Sequence, residues 1–170
     1  MVIELFAGRL RLLLLLVLLG LGCRQQNSLV NLLPPRTDVL EVDVVSQVER
    51  EGWQLVLFYY TDASGQRWLS VKEVSKTLLG EWRVEASYSA LQVGPGCDSP
   101  CTTFKATRQR GRIDFVLYGY TTRLGTEEVA IQLADGRTLR APIQEQAFIT
   151  YWSGTGQEAL HQSIEEIDGE

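Results

Sequence analysis

From Val39 onwards the chain alternates apolar and polar residues, the period of a strand with one face in a core and the other in water. Leu40, Val42, Val44 and Val48 share one face, while Glu41, Asp43 and Gln47 share the other. Gly52 separates this strand from a second, in which Trp53, Leu55, Leu57 and Tyr59 oppose Gln54, Val56, Phe58 and Tyr60. Both faces of the second strand are largely apolar, which predicts an interior position buried on both sides. Asp62, Ala63, Ser64 and Gly65 supply a tight reversal. Trp68, Leu69 and Val71 mark a third strand that ends near Val74. Residues 81–91 give the cleanest alternation, with Trp82, Val84, Ala86, Tyr88 and Ala90 inward and Glu81, Arg83, Glu85, Ser87 and Ser89 outward.

The second half repeats the pattern. A strand at 104–108 leads through a turn at Arg110 and Gly111 into a strand at 113–120. There Ile113, Phe115 and Leu117 share one face, and Val116, Tyr118 and Tyr120 the other. Val129, Ile131 and Leu133 precede Asp135-Gly136, the strongest hairpin signal in the chain. The return strand carries Leu139, Ala141 and Ile143, with Pro142 marking a strand end or a sheet edge. Residues 147–152 form the last strand, and 154–170 read as a polar, acidic tail with at most a short helix near 157–167. About nine short strands with regular turn signals predict an all-β fold, an antiparallel β-sandwich of two sheets, immunoglobulin-like or an open barrel, over 39–153. The stretch from Tyr118 to Trp152 is similar to a hairpin-plus-strand pattern common at the end of bacterial exported β-domains, a likeness that brings no activity with it.

The N-terminal region has a different pattern. Arg9 and Arg11 precede an unbroken apolar run that Cys23 closes. Basic patch, apolar core, small residues and cysteine, in that order, read as an export signal. The run is near half the roughly 20 apolar residues that a spanning helix needs. Leu19, Gly20, Leu21 and Gly22 before Cys23 resemble the signal of bacterial lipoproteins, with Gly22 in the small position before the cut and Gly20 where leucine is preferred. The resemblance implies that residues 1–22 are a signal peptide and that Cys23 becomes N-terminal and carries thioether-linked acyl chains. It also implies a lipid bilayer as the first partner, through the acylated Cys23, on the extracytoplasmic side of a bacterial envelope. Because Arg24 rather than aspartate follows Cys23, it points to the outer membrane where the source has one. Ordinary secretion, periplasmic or beyond, and an uncleaved anchor are the alternatives. Residues 24–38 carry Pro34 and Pro35 and no apolar period, so 23–38 is expected to be lipid attachment and flexible tether, unless Leu29, Val30, Leu32 and Leu33 pack on the body.

The formal net charge of the 170 residues is −5, and removing Arg9, Arg11 and Glu4 with the leader makes it one unit more acidic. That balance excludes nucleic acid as a partner, since phosphates need a basic surface. It also disfavours electrostatic docking of the whole body on anionic lipid heads. Of three cysteines, assigning Cys23 to lipid leaves Cys97 and Cys101 in the loop GPGCDSPC. Outside the cytoplasm such a pair reads as a structural disulfide. A redox-active pair or a metal site stays open, although three residues intervene and His161 is the single histidine.

Candidate chemistry is sparse, and no cofactor is expected. His161 in a polar tail makes no Ser-His arrangement. Asp114 with Glu127 or Glu128 has the residue types of a glycosidase pair. The glycines at 94, 96, 154 and 156 lack the strand-to-helix setting of a phosphate loop. Aromatic residues are abundant; they fill the core or, where they reach solvent, stack on sugar rings or a partner's apolar surface. Tyr60, Tyr118 and Tyr120 are the candidates for a binding surface. Arg108, Arg110 and Arg112 read as a basic hairpin tip. The expected function is a membrane-tethered, non-catalytic envelope domain that binds protein or glycan. The alternatives are an assembly lipoprotein that pairs through a sheet edge, and a thiol-redox protein using Cys97 and Cys101.

Overall fold

Eleven strands are present among the described residues of the computed structural model, which are 29–34, 38–50, 52–94, 97, 99–109, 112–154 and 161–168. Residues 1–22, Cys23 and the first part of the tether lie outside them, as do Gly96, Arg110, Gly111 and Gly156. The strands are β1 Val39–Arg50, β2 Trp53–Asp62, β3 Arg67–Lys76, β4 Trp82–Ser87, β5 Leu91–Gln92, β6 Cys101–Gln109, β7 Arg112–Tyr120, β8 Thr126–Leu133, β9 Thr138–Pro142, β10 Ala147–Gly154 and β11 His161–Asp168. All their pairings are antiparallel, and they form three sheets that close no barrel. The first sheet runs β1-β2-β3-β4, with β5 also pairing β3. The second runs β10-β7-β6 and the third β11-β8-β9.

The all-β sandwich that the pattern predicts is present, but in three layers rather than two. The reason lies in β7. Its even-numbered residues Val116, Tyr118 and Tyr120 enter a core with Leu55, Leu57, Tyr59, Leu69 and Val71 of the first sheet. Its odd-numbered residues Phe115 and Leu117 enter a separate core with Val129, Ile131, Leu133 and Ala141 of the third. In that second core Phe115 stacks on Trp152 at 5.3 Å and on Phe104 at 5.6 Å between ring centroids. A strand apolar on both faces has to be covered twice, and one facing sheet covers it once.

The segment at 154–170 is the second departure. It supplies β11, in register with β8 from His161 opposite Leu133 to Asp168 opposite Thr126. Its acids are engaged rather than merely solvated: Glu166 accepts hydrogen bonds from Thr121 and, at 2.6 Å, from Ser99, and Arg123 pairs with Asp168. Ile164 and Ile167 stand three apart, which reads as helical spacing, and the ladder with β8 overrides it.

The first sheet is also covered on its outer face. A short helix, Leu29–Leu32, and Leu33 lie against Val56, Phe58, Tyr60 and Val74, with Leu33 fully buried. The buried Lys72 fixes this segment by donating to the carbonyls of Leu32 at 2.9 Å and Pro34 at 3.5 Å. The last part of the expected tether is therefore docked on the body. Val30 faces solvent.

Gly119 marks the tightest approach in the second sheet. A Cβ there would stand 2.1 Å from the Cys101 carbonyl oxygen and 3.0 Å from Phe148 Cζ. Gly119→Ala is expected to lower the urea-unfolding free energy by about 3 kcal/mol or more, because the obstructing atom is backbone and has nowhere to move. A variant within about 0.5 kcal/mol of wild type would contradict this packing.

Candidate functional site

The three tyrosines expected at the surface are not there. Tyr60, Tyr118 and Tyr120 are 6%, 1% and 3% exposed. Tyr60 stacks on Trp68 at 6.3 Å on the outer face of the first sheet, beneath the docked segment. Tyr118 and Tyr120 lie between the first and second sheets, where each ring is apolar cover and each hydroxyl reaches the wall. Tyr118 donates to the Ser89 carbonyl, and Tyr120 to the carbonyls of Gln92 at 3.1 Å and Gly94 at 3.3 Å. The two hydroxyls thus pin the chain between β4 and β6 to the second sheet. Burial pushes the Tyr118 hydroxyl well above its ordinary range, so it stays a donor.

The cysteine pair has a similar structural setting. Cys97 and Cys101 stand 5.7 Å apart at Cα, the span of a disulfide, with Cys97 exposed and Cys101 buried at the start of β6. Asp114 and Glu128 are not brought together. Asp114 sits on the face of β7 that meets the first sheet, while β8 packs behind the other face, where Glu128 pairs with Arg140. The backbone of His161 opens β11.

What the fold does assemble is a polar end between the first and second sheets. Arg50, Trp53, Glu73, Tyr88, Thr107, Asp114, Val116 and Tyr151 line a cavity of about 80 Å³ there. Asp114 accepts from Tyr151 at 2.6 Å and Ser153 at 2.7 Å, and the Arg50 guanidinium lies 3.4 Å from the centre of the Tyr151 ring. Glu73 follows Leu69 and Val71 on the inward face of β3. Burial raises its carboxyl above the ordinary 4.5; a hydrogen bond from Tyr88 at 3.5 Å and the Lys105 charge oppose that, while Glu85 and Asp114 add to it. The Tyr88 hydroxyl is pushed up to about 12, by burial first and by Glu73 second. A water occupies roughly 30 Å³, so this cavity has room for a few waters and none for a sugar ring. Two carboxylates stand beside it, but the space does not admit a glycosidic bond.

An open groove adjoins the cavity, sharing Arg50 and Trp53 with it. Glu49, Gly52, Gln54, Val74, Ser75, Lys76 and Trp82 complete its lining around about 300 Å³, the lower end of the usual range for small-molecule sites. Gln54 donates to Glu49 at 3.1 Å, yet its buried carbonyl oxygen has no hydrogen-bond partner among the described residues. The Lys76 ammonium lies 4.5 Å from the Trp82 ring. The Trp82 ring, an amide, a carboxylate and an ammonium thus border one depression at the end of the sheet, where Trp53 packs on the inner face against Tyr151 and Trp82 on the outer face. The sequence offered a signal for part of this: Glu73 is the single acid on an otherwise apolar strand face. Trp53 and Trp82 gave none, because a tryptophan that opens a strand has the same pattern whether it fills a core or lines a groove.

The raised Glu73 carboxyl has a consequence with a definite sign. Its proton is held more tightly folded than unfolded, so stability declines as pH rises through the interval above 4.5. Glu73→Gln should flatten that decline and raise stability at neutral pH by no more than about 1 kcal/mol, since the group is part-exposed and screened. Urea melts across pH 4 to 8 check it, with an unchanged slope as the contrary result. Tyr120→Phe should cost about 1 kcal/mol through its lost hydrogen bonds, leaving the apolar core intact.

Set against known protein families, curated proteins and solved structures, the chain matches none.

Proposed function

We propose that this chain is a lipid-anchored protein of the bacterial envelope whose β-sandwich binds glycan, without catalysis, in the groove beside Trp53 and Trp82. The groove carries the reading. The Trp82 indole suits the apolar face of a sugar ring, and amide, carboxylate and ammonium groups suit its hydroxyls. A protein surface would call for a broader apolar patch than this groove offers. The export signal ending at Cys23 and the Cys97–Cys101 pair support an oxidising location outside the cytoplasm. Pairing through a sheet edge is the weaker reading. β1 is a long edge strand, but register shifts at Val39/Glu41 and Val44/Ser46 and its outward acids blunt it.

Titration with soluble cell-wall oligosaccharides, followed by tryptophan fluorescence, tests the groove. Trp82→Ala is expected to weaken binding at least roughly tenfold. Because Trp82 also covers the outer face of the first sheet, Gln54→Leu serves as a second variant that removes a polar contact at nearly constant shape. Saturable binding that neither substitution changes would remove the groove from the account. The anchor is tested separately, by mass spectrometry of the mature N-terminus. Cys23→Ser should abolish stable membrane retention, and retention unchanged by that substitution would refute acylation.

A further inference from the structure

The turn between β3 and β4 is built to present two leucines to solvent. Gly80 donates to the Thr77 carbonyl and Thr77 to the Glu81 carbonyl, each at 2.9 Å, and Gly80 has a φ of 78°, in the left-handed region that favours glycine. This tight frame leaves Leu78 and Leu79 at the apex, 107% and 70% exposed. Adjacent large apolar residues at a hairpin tip are costly in water, and no part of the described chain covers them. Lys76 and Trp82 flank the apex in cation-π contact. Leucine at the tip, with tryptophan and lysine a few ångströms behind, is the arrangement of a segment that meets a lipid interface.

The route of the chain before β1 puts that interface within reach. Val39 pairs with Asp62 at the opposite end of the first sheet, whereas Leu32 and Pro34 sit at Lys72 in mid-sheet. Leu32 and Pro34 therefore lie nearer than Val39 to the end that carries the turn, and the short helix contacts β4. Lys72 to Lys76 spans roughly 13 Å of strand. From Leu29 back to Cys23 six residues reach up to roughly 20 Å. An acyl chain on Cys23 and the Leu78-Leu79 apex can thus lie at one level. The same end carries the end of β6 and the start of β7, since Thr107 and Asp114 line the cavity there with Arg50 and Trp53.

We infer that Leu78 and Leu79 form a second membrane contact, inserting into the outer part of the bilayer that holds Cys23 and fixing the sandwich with its polar end towards the lipid. The inference rests on the lipid-anchor reading, and the experiment separates the two. Full-length protein is reconstituted into phosphatidylcholine vesicles with and without brominated acyl chains. Bromine should quench an emission component that Trp82→Phe removes. Leu78→Ser/Leu79→Ser should abolish that quenching while the protein stays vesicle-bound through Cys23, with an unchanged melting temperature because both side chains are exposed. In the Cys23→Ser background the same pair of substitutions should weaken vesicle binding at least roughly tenfold. Anchored wild type with no quenching at Trp82 would overturn the leucine contact and leave the anchor standing. Wild type that fails to associate with membranes would overturn the anchor; the Cys23→Ser protein added to brominated vesicles then decides, quenching supporting the contact and its absence refuting it. Capture of a protein by the apex without quenching would also refute it, in favour of a protein partner.

Discussion

One strand sets the architecture. β7 carries Phe115 and Leu117 on one side and Val116, Tyr118 and Tyr120 on the other, so neither side can face water. A sheet built around it must lie in the middle, and the chain spends its remaining strands on two covers. The hydrophobic effect specifies only that cover is needed. Which strand supplies it follows from register and from polar groups that must find partners at depth. Tyr59 shows how tightly the layers are tied. From the first sheet its hydroxyl donates at 3.2 Å to the carbonyl of Glu145, in the turn that carries the chain from the third sheet to the second. Glu145 and Gln146 there have φ of 49° and 65°, a conformation side chains disfavour. Gln146 accepts from the Thr121 amide at 2.8 Å. Strain at this corner is held by bonds from both neighbouring elements.

That division explains what the sequence could and could not disclose. The two-faced strand at Trp53 to Tyr60 announced itself, because burial on both sides leaves little polar alternation, whereas the tyrosines of 113–120 read as candidates for a solvent face. The Asp135-Gly136 hairpin was equally plain, since Gly136 supplies the positive φ that a tight reversal between two strands needs. Pairing between distant strands left no such trace. Nothing in Ile164 and Ile167 names β8 as their neighbour, so the strand that completes the third sheet was invisible and 161–168 read as tail. The tyrosines failed for a related reason. A hydroxyl suggests solvent, but Tyr118 and Tyr120 satisfy theirs on carbonyls of Ser89, Gln92 and Gly94, partners that only the folded chain brings near.

The carboxylates between the first and second sheets gather at one end, and packing gives the reason. Where β2 begins at Trp53 and β10 runs out at Gly154, the apolar contact between the two facing sheets ends in the Trp53–Tyr151 ring pair. Glu73 and Asp114 occupy the space left, with Tyr88, Tyr151, Ser153 and Arg50 about them. Deeper in the same interface a carboxylate would meet Val71 and Val116 and would have no such company. The cavity is thus a boundary between core and solvent whose acids are affordable only at that position.

Lys76 and Trp82 belong both to the groove and to the flanks of the leucine turn, so the two proposals constrain each other. With the apex in lipid, Trp82 stands at the depth of headgroups and the groove opens beside them. A glycan that reaches it must then lie at the membrane surface, which disfavours polymers held far from the bilayer. Lys76 is divided between the two roles: over the indole it shields one Trp82 face from a sugar, and drawn to phosphate it would uncover that face. Membrane contact and glycan binding would then be coupled through the position of one ammonium, with the lipid-engaged form the better receptor.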